Sequence, residues 1–187
     1  MAKFFGNLHL VLVAALLLAL VVIFAVPANT TGEQAVLRWL HLFFGITWIG
    51  LLYYFNFVQI PTMPKVPAEL KPGVSKYIAP SALFFFRWAA ALTVLTGLII
   101  AWRSDYLVQA LTLDPGHRLI GIGMWLALIM AFNVWFVIWP NQKKALGLVP
   151  AEDAAKAKAA TTAMIFSRTN TLLSLAMLYC MVNFNGG

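Results

Sequence analysis

Acidic residues are scarce in this chain. Only six of its 187 residues are Asp or Glu, against thirteen Lys or Arg, and none of the six falls inside a long apolar run. Proton pumps, ion pathways and carboxylate metal centres place such groups at membrane depth, so their absence argues against those classes. Cysteine is scarcer still. Cys180 stands alone, which excludes an internal disulfide and a cysteine metal cluster, and no Cys-x-x-Cys-His occurs to attach a c-type haem. The seven methionines are dispersed, so a copper-binding methionine cluster finds no support. Strand-like alternation is absent too.

What fills the chain instead is apolar. Hydrophobic residues make up 62% and charged residues 10%, too little polar surface for a soluble domain of this size. Five runs, near 8–27, 36–59, 81–102, 119–139 and 162–183, are long enough for a hydrocarbon core that needs about 20 helical residues. Backbone groups in lipid must be satisfied internally, so each run predicts a helix. The expected fold is all-α: one domain, residues 1–187, forming an integral membrane bundle of five transmembrane helices. The first run, preceded by Lys3 and ending in Val26-Pro27-Ala28, has the outline of a signal peptide, but its length favours a retained membrane helix.

Lysines and arginines set the orientation. Lys3, then Lys65, Lys71 and Lys76, then Lys143, Lys144, Lys156 and Lys158 mark one side, whereas the other connections offer only Arg38, Arg103 and Arg118. The positive-inside rule then puts the N-terminus in the cytoplasm and the C-terminus outside. The net charge of +7 reflects this asymmetry and attraction to anionic lipid, not a nucleic-acid partner. Pro61, Pro64, Pro67 and Pro72 are expected to end the second helix in an extended link, with Pro80 opening the third. Asp114-Pro115-Gly116 precedes the fourth helix, and Pro150-Ala151-Glu152-Asp153 reads as the start of the fifth.

His41 is the residue with the clearest chemical potential, because it lies inside an apolar span where an ionisable group needs a partner. His41, Gly45, Trp48 and Leu52 share a helix face. The glycine one turn from the histidine leaves a recess that either a porphyrin edge or a neighbouring helix could use. As a partner ligand only His117, opening the fourth helix on the same side, is suitably placed; His9 belongs to the opposite end. A water-satisfied interfacial role is the alternative for His117, and an interhelical hydrogen bond the alternative for His41. Arg87 and Arg168 lie in the other leaflet, either snorkelling to phosphates or cradling a propionate, a quinone carbonyl or an anionic substrate. Asn133 and Asn170 are expected to bond across the bundle, and the small faces at Gly45, Gly121 and Gly123 to accept a neighbouring helix.

Several of these residues carry a resemblance. Arg38-Trp39-x-His41, Trp48-Ile49-Gly50, Tyr54-Phe55, Lys76-Tyr77-x-Ala79-Pro80, Phe86-Arg87-Trp88, Thr96-Gly97 and above all Asn133-Val134-x-Phe136-Val137-Ile138-x-Pro140-Asn141-Gln142-Lys143 resemble the membrane domain of the bacterial membrane-bound urate hydroxylases. The resemblance runs over most of residues 36–184. A weaker one, to the small membrane protoporphyrinogen oxidases, covers the histidine helix. The stronger implies a purine oxidase of the bacterial inner membrane whose electrons leave through an attached cytochrome c domain. Where the family pattern carries histidines in the fourth and fifth helices, this chain has Gly121, Thr169 and Phe184, and the basic-acidic pair of the third helix reads Arg87-Trp88-Ala89. Only His41 carries over.

Three functions follow. The reading that best accounts for the missing ligands is a non-catalytic, accessory helical subunit of a larger membrane redox complex, partnered by other membrane chains and lipids. The alternative is a small b-type cytochrome, with haem b iron on His41, His117 or an open position opposite, and Gly45, Trp48, Arg87 and Arg168 around the cofactor. The third is a stand-alone purine oxidase.

Overall fold

The protein is described by a computed structural model covering residues 2–26 and 32–184; Pro27 and Ala28 of the signal-like motif lie outside the described residues. The chain divides into two compact units, Met1–Leu37 and Arg38–Gly187. Among the described residues, five helices are long and apolar enough to cross a membrane: α1 (Leu8–Ala25), α2 (Gly32–Lys65), α3 (Lys71–Arg103), α5 (Arg118–Ala145) and α6 (Asp153–Asn183), with a short helix α4 (Leu107–Leu111) between α3 and α5. No strand occurs among the described residues. This is an all-α membrane protein.

In the first unit, Asn7 caps α1 by accepting from the His9 and Leu10 amides at 3.1 and 3.4 Å. Every residue of α1 keeps solvent-accessible surface above the buried range. A helix this uniformly apolar belongs in lipid or against other membrane helices.

In the second unit the sequence expectation about prolines needs correction. Pro61 does not end α2, which runs on to Lys65, and Pro80 lies well inside α3, whose first turn holds Pro72. The reason lies just upstream of each ring. Tyr54–Gln59, Val74–Ile78 and Asn133–Ile138 are wound as π-helix, each ending two residues before Pro61, Pro80 or Pro140. The amides of Ile60, Ala79 and Trp139 accordingly bond carbonyls five residues back, those of Phe55, Val74 and Val134. Proline would otherwise clash with the carbonyl four residues before it, and the wider turn moves that carbonyl aside. Side chains serve carbonyls where these stretches begin: Asn56 Nδ2 donates to Leu52 O at 2.9 Å, Ser75 Oγ to Lys71 O at 3.1 Å, and Asn170 Nδ2 to Met130 O at 2.9 Å.

The core of this unit is assembled from α2, α3, α5 and α6. Trp48, Leu52, Leu83, Phe86, Met130, Val134 and Ile138 are almost wholly enclosed, with Phe55 edge-on to Phe86 at 5.7 Å. Ala89, Ala90, Ala127 and Ala163 in the same cluster keep the helices close, as small residues do in membranes. Gly121 abuts the Ala110 carbonyl of α4, and a Cβ on Gly123 would lie 2.8 Å from Cys180 Cβ. The polar residues of α6 face inward at Ser167, Asn170 and Ser174, each with a partner on another helix. Asn56 Nδ2 reaches Ser167 Oγ at 2.8 Å, Asn133 Nδ2 reaches Asn170 Oδ1 at 2.9 Å, and Tyr53 Oη pairs with Ser174 Oγ at 3.0 Å. The expected Asn133 and Asn170 link is therefore present.

Candidate ligand site

Packing of α2, α3, α5 and α6 leaves a cavity of about 610 Å³ within the Arg38–Gly187 unit. Small-molecule and cofactor sites occupy roughly 300–1,000 Å³ and are mostly apolar with few polar groups. Here Leu42, Ile46, Val94, Leu98, Leu128 and Leu178 supply the apolar wall, while His41, Trp48, Thr93 and Arg38 supply the polar atoms.

His41 is held by α3. Its Nδ1 lies 2.9 Å from Thr93 O and 3.1 Å from Thr96 Oγ1. A carbonyl only accepts, so Nδ1 carries the proton. The Thr96 hydroxyl donates its own hydrogen to Leu92 O at 2.7 Å, which leaves its oxygen to accept from the imidazole. In a neutral ring this arrangement places the free lone pair on Nε2, which is how ligating histidines are commonly oriented by a partner behind them. The backbone of α3 comes close enough for this only because residue 97 is glycine: a Cβ there would sit 2.9 Å from His41 Cε1. Gly45 and Gly50 behave differently. A Cβ on Gly45 would meet only Thr93 Cγ2, at 3.9 Å, and one on Gly50 would meet nothing within 4 Å. These two positions form open floor along α2.

Trp48 is fully enclosed in the cavity wall, and its indole Nε1 is buried without an acceptor. Arg38 sits at one end of the wall with an exposed side chain. Close to it, in the α3–α4 connection, burial raises the ionisation of the Tyr106 phenol above its usual value, and the positive charge of Arg38 acts in the opposite sense. Three methionines, Met124, Met177 and Met181, complete the lining with thioether sulfurs. Among the described residues there is no group of three or more His, Cys, Asp or Glu that could hold a bare metal ion. One imidazole suits instead a prosthetic group that brings its own equatorial ligands.

The structure thus gathers His41, Gly45 and Trp48 at one cavity and leaves the other sequence candidates elsewhere. His117 is not in the wall; it stacks on Tyr106 at 5.7 Å and 14°, with Phe184 6.1 Å away. Arg87 lies over the Trp139 indole, and Arg168 is exposed on α6. Thr93, the Thr96 hydroxyl, Gly97 and the methionines were not singled out as site residues by sequence. A threonine pair spaced i, i+3 and followed by glycine was the available signal for the first three. The methionines come from α5 and α6 and had none.

Residues 113–185 match the family model described as urate oxidase N-terminal. Neither the curated proteins nor the solved structures contain a match. The matched stretch holds α5 and α6, including the Pro140-Asn141-Gln142-Lys143 segment on which the resemblance most depends, which lies within α5 and does not form the turn after it. Over that stretch the five-helix membrane protein is similar to the urate oxidase N-terminal family.

Proposed function

We propose that this urate-hydroxylase-like membrane protein is a helical subunit of a membrane redox complex that carries haem b, with His41 as an iron ligand. The observation behind the reading is the clamp on His41 Nδ1 by Thr93 O and Thr96 Oγ1, which leaves Nε2 as the basic nitrogen of a cavity of cofactor size. The donor set fits the group. His41 would hold the iron, Gly45 and Gly50 leave room along α2, and Arg38 offers a cation for a propionate. A thioether from Met124, Met177 or Met181 is the available second ligand in the wall, in place of His117. When bound, haem supplies one-electron relay; the chain's part is to ligate, orient and exclude water. The subunit would lie in the bacterial inner membrane with its N-terminus in the cytoplasm.

A second reading, the accessory subunit without a cofactor, draws support from the absence of a histidine opposite His41 in the wall. Purine oxidation by this chain rests on the family description alone. An absorption spectrum separates the readings. Purified full-length protein titrated with haemin and reduced with dithionite should give a b-type spectrum that His41→Ala abolishes. A folded wild type that takes up no haem would sink the cytochrome reading and leave the scaffold.

A further inference from the structure

A second polar centre lies at the Pro140 end of the bundle, apart from the cavity. Trp135 Nε1 donates to Arg87 O at 3.1 Å and seats α3 against α5. The Arg87 guanidinium lies over the Trp139 indole, Cζ 3.4 Å from the ring centroid. Gln142 and Lys143 follow Trp139 at i+3 and i+4, so they share its helix face. Lys143 Nζ is 5.6 Å from the same ring. Two cations converge on one indole, and neither α3 nor α5 contains an Asp or Glu.

The unmet hydrogen bonds define what is missing. Arg87 Nε and Nη1 are buried with no acceptor, and Gln142 Oε1 is buried with no donor. Leaving buried polar groups unpaired costs about 1–3 kcal/mol each. Snorkelling would place the guanidinium in water and does not account for two enclosed nitrogens. The complement of this set is an anion with oxygens for the two cations, joined to an N–H or O–H for the glutamine. Helix α5 ends at Ala145, so the centre stands in the last turns of a membrane helix, where headgroups and aromatic anchors meet.

We propose that Arg87, Trp139, Gln142 and Lys143 bind the phosphate diester of a membrane phospholipid whose headgroup carries a hydroxyl or ammonium donor. The site is independent of haem at His41. The test is native mass spectrometry of the full chain in detergent, titrated with phosphatidylglycerol, with phosphatidylcholine and inorganic phosphate as separate arms. Wild type should retain phosphatidylglycerol over phosphatidylcholine, which lacks a donor. Lys143→Gln, on a half-buried side chain whose loss leaves the core intact, should weaken retention about fivefold, the worth of one cation at a headgroup. Arg87→Lys, which keeps the charge but loses the planar fork, should also weaken it. Equal retention by wild type and both variants would overturn the proposal, as would displacement of the lipid by equimolar inorganic phosphate.

Discussion

Position 97 shows how little room there is behind the candidate ligand. Gly97→Ala would drive a methyl into His41 Cε1, and the expected result is a loss of about 1–3 kcal/mol in unfolding free energy together with weaker haemin uptake. Thermal unfolding and haemin titration of the same variant check both. Thr96→Val is gentler. It removes one of two acceptors on Nδ1 and should lower stability by about 1 kcal/mol while Thr93 O still fixes the tautomer. Tyr106 gives a pH signature. Its folded-state ionisation is raised, so its contribution to stability is complete below the usual phenol value of 10.0 and is lost as pH rises beyond it. Alkaline denaturation of Tyr106→Phe should therefore begin at higher pH than that of wild type. His41 was visible in the sequence because one histidine in an apolar span stands out. Its partners were not, because threonine and glycine in a membrane helix are ordinary packing residues until a second helix is placed against them.

Among the elements, α6 is held by polar contacts as much as by apolar ones. Asn170 donates to Met130 O and accepts from Asn133, so Asn170→Leu should destabilise by on the order of 1–2 kcal/mol. The double variant Asn133→Leu with Asn170→Leu should cost less than the sum of the two singles, because no asparagine is then left unpaired; a double-mutant cycle in detergent measures the difference. Helix positions were legible from run length alone, since hydrocarbon thickness sets a minimum that the sequence meets five times. The ends were not. Proline reads as a terminator on the assumption of α-helical register, and Tyr54–Gln59, Val74–Ile78 and Asn133–Ile138 depart from that register just where the prolines follow.

For the whole molecule, the two units carry different constraints. Apolar-for-apolar swaps in α1, such as Leu16→Ile, should change stability by less than about 0.5 kcal/mol, whereas Gly123→Ala, against Cys180, should cost about 1–3 kcal/mol. The π-helical stretches have a further consequence for how this molecule can change. Each holds one residue more than an α-helix of the same span needs, so a single deletion there is repairable in place. Removing one residue from Asn133–Ile138 would return the stretch to α-helix and leave the faces on either side close to their present alignment. Trp139, Gln142 and Lys143 would still face Arg87, but Pro140 would then meet the carbonyl that the wider turn now moves aside, so one lost codon would trade an accommodated proline for a kink.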